Sequence, residues 1–148
     1  MEYLMKDFNS LSGSEVYEIL KVRSAIFVVE QDVVYQDIDD IDYKSLHCII
    51  REGNKVLAYM RVYQDDEGYT HLGRVLTLNH GDGLGRKMME HFLPMAKKAM
   101  PAPQIIIHAQ CYARGYYEKF GFEKSSEEFL EDGIPHIEMR LNMTESKA

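Results

Sequence analysis

Apolar residues along this 148-residue chain change their period several times, and each change marks an element. Glu2 to Phe8 reads as a short first strand. In "SLSGSEV", Ser12 followed three residues on by Glu15 predicts a capping box, and Val16, Ile19, Leu20, Ile26 and Phe27 then recur at helical spacing. One helix is predicted there. Past Glu30 the stretch "QDVVYQDIDDIDYKS" loses its period and fills with aspartate, which predicts a loop carrying a short helical turn.

The next segment, "LHCIIREGNKVLAYMRVYQDDEGYTHLGRVLTL", holds three apolar runs separated by Glu52-Gly53-Asn54 and by Asp65-Asp66-Glu67-Gly68. Short turns of that chemistry join antiparallel neighbours, so a three-strand meander is predicted. A glycine-rich turn follows, then a helix from Leu84 with Leu84, Met88, Phe92 and Met95 on one face, which Pro94 is expected to kink or break. "QIIIHA" reads as a buried strand parallel to the last meander strand, because a helix crosses between them. "YARGYYEKF" is a further short helix closed by Gly121, "EFLEDGIPHIEMRL" a hairpin around Asp132-Gly133, and residues 142–148 a frayed tail. The predicted class is α/β, with a mixed, mostly antiparallel sheet flanked by helices in one domain over residues 1–148.

Composition narrows the function. Hydrophobic residues make up 45% and charged residues 28%, as in a globular domain. Lysine and arginine number 17 against 24 aspartates and glutamates, a net charge of −7. No basic face stands out for nucleic acid, and such a surface attracts cations, including protonated amines. The start, "MEYLMKDFNS", carries acids and has no apolar core of signal-peptide length, and no apolar run is long enough to span a membrane. A cytoplasmic location is expected, with Cys48 and Cys111 as reduced thiols.

The stretch "HGDGLGRKMMEHF" places three glycines directly before a helix. A strand that feeds such a turn leaves backbone N–H groups pointing outward at the positive end of the helix dipole, which suits a phosphate. It lacks the G-x-x-x-x-G-K-[ST] of a P-loop. Read from Gly81 as G-x-G-x-x-G, it has Arg86 where the third glycine belongs.

His80-Gly81-Asp82-Gly83-Leu84-Gly85 resembles the R/Q-x-x-G-x-G/A signature of the GNAT superfamily of N-acetyltransferases. "QCYARGYYEKFGF" is similar to that family's later motif through Gln110, Ala113, Tyr117, Gly121 and Phe122. "RSAIFVVEQDVVYQDID", "LGRVL" and "LEDGIPHIEM" resemble recurring segments of its ElaA-like branch. His80 departs from the usual Arg or Gln, and the chain before the glycines is about two residues shorter than the family's pattern.

The resemblance implies a GNAT fold and an acetyl-CoA-dependent transfer of acetyl to a primary amine, directly within a ternary complex. It places the cofactor on His80, Gly81, Asp82, Gly83, Leu84, Gly85, Arg86 and Gln110, and on the main chain of Val75, Leu76 and Thr77. It makes Tyr117 the proton donor to the departing thiolate and leaves Tyr116 to packing. An alkyl ammonium, with a pKa near ~10.4, must lose a proton before it attacks. Glu30 is the first candidate to take it and His136 the second, with Asp37 and Asp39 beside Glu30 facing the acceptor. Asp40 and Asp42 are read as solvated. The histidines show no metal-ligand spacing, so no metal is expected. The acceptor is expected to be a small-molecule or peptide amine. Relatives of this kind often pair as homodimers. Two alternatives stay open: a CoA-binding sensor without turnover, and an acyltransferase like the acyl-homoserine-lactone synthases, which "RSAIFVVEQ" also resembles.

Overall fold

The structure, a computed structural model, describes residues 1–79 and 81–143. Its strands are β1 (Glu2–Asp7), β2 (Leu46–Glu52), β3 (Lys55–Gln64), β4 (Thr70–Thr77), β5 (Gln104–Gln110), β6 (Glu123–Lys124), β7 (Phe129–Glu131) and β8 (Ile134–Asn142). The helices are α1 (Gly13–Arg23), α2 (Leu84–Ala99) and α3 (Arg114–Glu118). One sheet runs β1-β2-β3-β4-β5-β8-β6, with β7 also on β8, and every pairing is antiparallel except β4 with β5. The meander, the parallel strand after the crossover helix and the terminal hairpin all stand where the pattern predicts them.

Both faces of the central sheet are covered, which explains why β2 and β3 read as near-continuous apolar runs. Cys48, Ile50, Met60 and Val62 pack with Met88, Met89, Phe92 and Tyr117 from α2 and α3. Ile49, Tyr59 and Leu76 point the other way, onto Ile19 and Val22 of α1.

The capping box forms as read. Ser12 Oγ accepts from the Glu15 amide at 3.1 Å and Glu15 accepts from the Ser12 amide at 2.8 Å. Glu15 also receives Lys6 from β1 at 3.0 Å and Arg51 from β2 at 2.8 Å, so one carboxylate fastens α1 to two strands.

Several boundaries differ from expectation. After Arg23 the first helix widens into a π-helical turn, Ser24–Glu30. Pro94 does not break α2, which runs on to Ala99. Pro94 and Glu90 face solvent, where water can satisfy the freed carbonyl, while Phe92, Leu93 and Ala96 pin the turns on either side. Met95 is exposed, and Ala96 takes its expected place on the buried face. Asn142 belongs to β8, and the Met143 amide donates to Pro103 O at 3.0 Å. The rest of the expected tail, residues 144–148, lies outside the described residues.

Burial works against the charge of Glu15, but the Ser12 amide, Lys6 and Arg51 outweigh it and hold the carboxyl at about 2, below its ordinary 4.5. A depressed acid stabilises the fold fully above the unfolded value and loses that contribution as pH falls. Glu15→Ala is expected to cost about 1–2 kcal/mol at pH 7 in urea unfolding. That difference should shrink as pH drops from 4.5 toward 2. A difference that stayed constant over this range would show that ionisation contributes nothing.

Candidate active site

β4 and β5 pair at two positions, Thr70 with Ile105 and His71 with Ile106, and then part. The cause is a bulge in β4: Tyr59 of β3 faces Leu76 while Arg61 faces Gly73, so β4 fits an extra residue into the span and bends away. Arg74 sits in the bulge at φ +51°, a left-handed conformation that costs a side-chain-bearing residue about 1–2 kcal/mol. Between the separated strands lies a cleft of about 820 Å³, walled by Leu72 to Thr77 on one side and Ile107 to Gln110 on the other. It runs from the glycine turn to the β7–β8 hairpin.

Arg74 is held in its conformation from outside the sheet. Its Nε lies 2.8 Å from Asp37 Oδ1, and its Nη2 donates to Asp37 O at 3.0 Å. Arg23, fully buried, donates to Asp37 Oδ2 at 3.1 Å and to Asp42 Oδ1 at 2.6 Å. Arg61 grips Asp39 with two bonds of 2.6 and 2.9 Å and reaches Asp42 at 3.1 Å. Three arginines thus balance three aspartates. Burial opposes the charge of Asp39, but Arg61 outweighs it and keeps its carboxyl below the usual range.

At the other end of the cleft, Gly81 and Gly83 take φ of +86° and +78°, which glycine adopts without a Cβ penalty. Asp82 Oδ1 accepts from the Leu84 amide at 2.9 Å, and the Lys87 amide donates to Gly83 O at 3.1 Å. Among the described residues nothing accepts from the amides of Gly85 and Arg86, which open the helix. Tyr116 donates to Gly85 O at 2.8 Å and ties α3 to this turn. A Cβ on residue 85 would come within 3.2 Å of that hydroxyl, so any larger residue there would push the Tyr116 ring back by a few tenths of an ångström.

Tyr117 is buried against Phe122 and Tyr116 yet lines the cleft, and its hydroxyl has no hydrogen-bond partner among the described residues. Burial pushes its phenol well above the ordinary value, so it carries its proton. Gln110 lines the cleft beside it and donates to Gln31 at 3.3 Å. Glu30 lies exposed on the wall, with no ion pair among the described residues. His136 is buried and also lines the cleft, with Nδ1 2.7 Å from Ile134 O and Nε2 3.8 Å from Glu131.

Residues 13–143 match the family model described as an acetyltransferase (GNAT) domain. The chain belongs to the GNAT acetyltransferase family. Within it the protein is ElaA-like: Escherichia coli ElaA is 34% identical over 137 residues, covering 88% of this chain and 90% of that one. A Schizosaccharomyces pombe protein of the UPF0039 group is 38% identical over 147 residues, covering 97% and 98%. Among solved structures, an acyl-CoA N-acyltransferase from Pseudomonas aeruginosa superposes with a TM-score of 0.89 at 33% identity, covering 95% of this chain and 99% of that one. The acyl-homoserine-lactone synthase LasI shares the fold alone, with a TM-score of 0.78 at 12% identity over 97% and 90% of the two chains.

In this GNAT chain, Glu30, Val75, Leu76, Thr77, Gly81 to Arg86, Gln110, Tyr117 and His136 all line the one cleft. His80 lies outside the described residues. Asp37 and Asp39, expected to meet an acceptor, do not line the cleft, because their charges are spent on Arg23, Arg61 and Arg74. Asp42 is likewise buried in that cluster and not solvated. The sequence reading missed Arg74, whose partners lie 35 and 37 residues away, and Arg23 and Arg61, whose partners lie 14 to 22 residues away, and with them the reason for so many aspartates. It also missed Glu131 and His108, which bond to each other at 2.9 Å on the cleft wall. For Glu131 a signal was present: in a two-residue hairpin centred on Asp132-Gly133, Glu131 and His136 fall on the same face as diagonal neighbours.

Removing one partner from a buried ion cluster strands the rest. Arg23→Ala should cost about 3–5 kcal/mol in chemical unfolding, since it leaves Asp37 and Asp42 without their buried cation. A loss below 1 kcal/mol would mean that the cluster does not brace the bulge.

Proposed function

We propose that this chain moves the acetyl group of acetyl-CoA to a primary amine, with both substrates held at once. The observation that carries the reading is one cleft with unclaimed amides at the glycine turn and an unclaimed, protonated Tyr117 hydroxyl on its wall. The residues fit the cofactor. The Gly85 and Arg86 amides, at the positive end of α2 with the open backbone of Gly81 and Gly83, would take a diphosphate. From Leu72 to Thr77 the edge of β4 facing β5 has no strand partner among the described residues, so Val75, Leu76 and Thr77 offer main-chain groups to a pantetheine arm and to the thioester oxygen.

Bound there, acetyl-CoA supplies an acetyl thioester whose carbonyl carbon an uncharged amine attacks with release of the thiol. Tyr117 holds the proton that the sulfur needs. Glu30, Glu131 and Asp132 give the acceptor end of the cleft a negative lining, which favours a cationic small molecule or a peptide N-terminus. The unclaimed Tyr117 hydroxyl favours catalysis over binding alone.

The test follows free thiol from acetyl-CoA with 1,4-diaminobutane, glucosamine and a glycine-led dipeptide. Tyr117→Phe is expected to lower kcat by about 10²–10⁴ while acetyl-CoA affinity by calorimetry stays nearly constant. Turnover unchanged across pH would remove Tyr117 from the donor role. Tight cofactor binding without thiol release for any amine would leave a binding module and defeat the transferase reading.

A further inference from the structure

The β7–β8 hairpin carries a group of side chains that interact as a unit and line the cleft. Glu131 stands between two imidazoles: His108 Nδ1 at 2.9 Å and His136 Nε2 at 3.8 Å. Phe129 braces both rings, edge-on to His108 at 5.3 Å and stacked on His136 at 6.1 Å. All three polar side chains line the cleft that holds Tyr117. Their exposures grade from inside to outside, with the His136 side chain 8% exposed and that of His108 43%. In the β5–β8 register His136 faces Gln110, so it stands at the Gln110 end of β5, where the strand leads into α3.

We propose that His136 is the base that takes the acceptor's proton, that Glu131 stabilises the resulting imidazolium, and that His108 positions Glu131 from the solvent side. This rests on the amine-transfer reading above. The Ile134 carbonyl at 2.7 Å can only accept, so neutral His136 carries its proton on Nδ1 and keeps the Nε2 lone pair free toward the cleft. The 3.8 Å between Nε2 and Glu131 Oε2 is too long for a direct bond, and an ammonium between them would reach both. Glu131 is suited to its part because its bond with His108 holds its carboxyl below the usual range, so it stays anionic. Glu30, by contrast, is exposed, and no hydrogen bond among the described residues orients it.

The charged and titratable groups around the pair come from every neighbouring element. Glu131 on β7 and Gln110 on β5 face His136. Glu138 on β8, paired with Arg140 at 2.9 Å, acts on His108, and the field of Arg74 on β4 reaches Glu131. The proton count closes. From R–NH₃⁺, one proton passes to His136 Nε2. The nitrogen–carbon bond forms as the carbon–sulfur bond breaks, and the thiolate takes the Tyr117 proton. Tyr117 is reprotonated by the second proton the nitrogen sheds, and His136 returns its own to water, so one proton is released per acetyl moved.

Two measurements test this. Nitrogen-15 NMR of the wild-type protein above neutrality is expected to show His136 protonated on Nδ1 and bare on Nε2. In the thiol-release assay, with whichever of the three amines reacts fastest, His136→Gln should lower kcat about 10²–10⁴-fold and abolish the acid limb of the pH profile. KM for acetyl-CoA should stay within twofold. Glu131→Gln should lower kcat about tenfold, with Glu131→Asp recovering part of it. His108→Gln should lower it less and add nothing to Glu131→Gln in the double variant. An Nε2-protonated His136, an acid limb that survives in His136→Gln, or additive losses would overturn the proposal while leaving the transferase reading intact. Thiol release with none of the amines would defeat both.

Discussion

The site depends on the separation of two strands that begin as neighbours. β4 and β5 pair at Thr70 and His71 and then diverge, because the bulge at Arg74 leaves β4 one residue too long to continue. A parallel pair this short would ordinarily extend its ladder, since unpaired backbone groups in a sheet interior are costly. Here the left-handed Arg74 is locked by Asp37, and Asp37 is locked by fully buried Arg23. The loop before β2, which looks like an acidic tether, is therefore the brace that keeps the cleft open.

That arrangement also changes the meaning of the protein's charge. A net charge of −7 suggests an acidic rim that draws cations, yet three of the loop aspartates are neutralised inside the chain. Among the described residues, the acids that remain on the cleft wall are Glu30, Asp82, Glu131 and Asp132, and of these only Glu131 is fixed by a partner on a different strand. The two ends of the cleft differ in kind. One is a backbone surface at the start of α2, tolerant of side-chain change. The other is built from side chains whose rings and carboxylate hold one another.

How much of this was legible follows the range of the interactions. Capping box, meander, crossover helix and terminal hairpin are local, and Ser12 with Glu15 or Asp132 with Gly133 announces them in a few residues. Motif spacing singled out the glycine turn and Tyr117, and apart from His80, which lies outside the described residues, the residues expected at the cofactor line one cleft. Arg74, Asp37 and Asp42 were not legible, because a lone arginine in "LGRVL" announces no partner and aspartates in a polar loop look free for an acceptor or for solvent until the fold brings them together. Pro94 misled for the same reason: whether a proline breaks a helix depends on which side of it faces water.

A crystal structure with bound coenzyme A tests the central claim most directly. The account predicts the diphosphate on the Gly85 and Arg86 amides, the pantetheine arm between β4 and β5 along Val75 to Thr77, and the sulfur within hydrogen-bond reach of the Tyr117 hydroxyl. A diphosphate seated elsewhere, or β4 and β5 zipped together beyond His71 with the ligand outside, would contradict it.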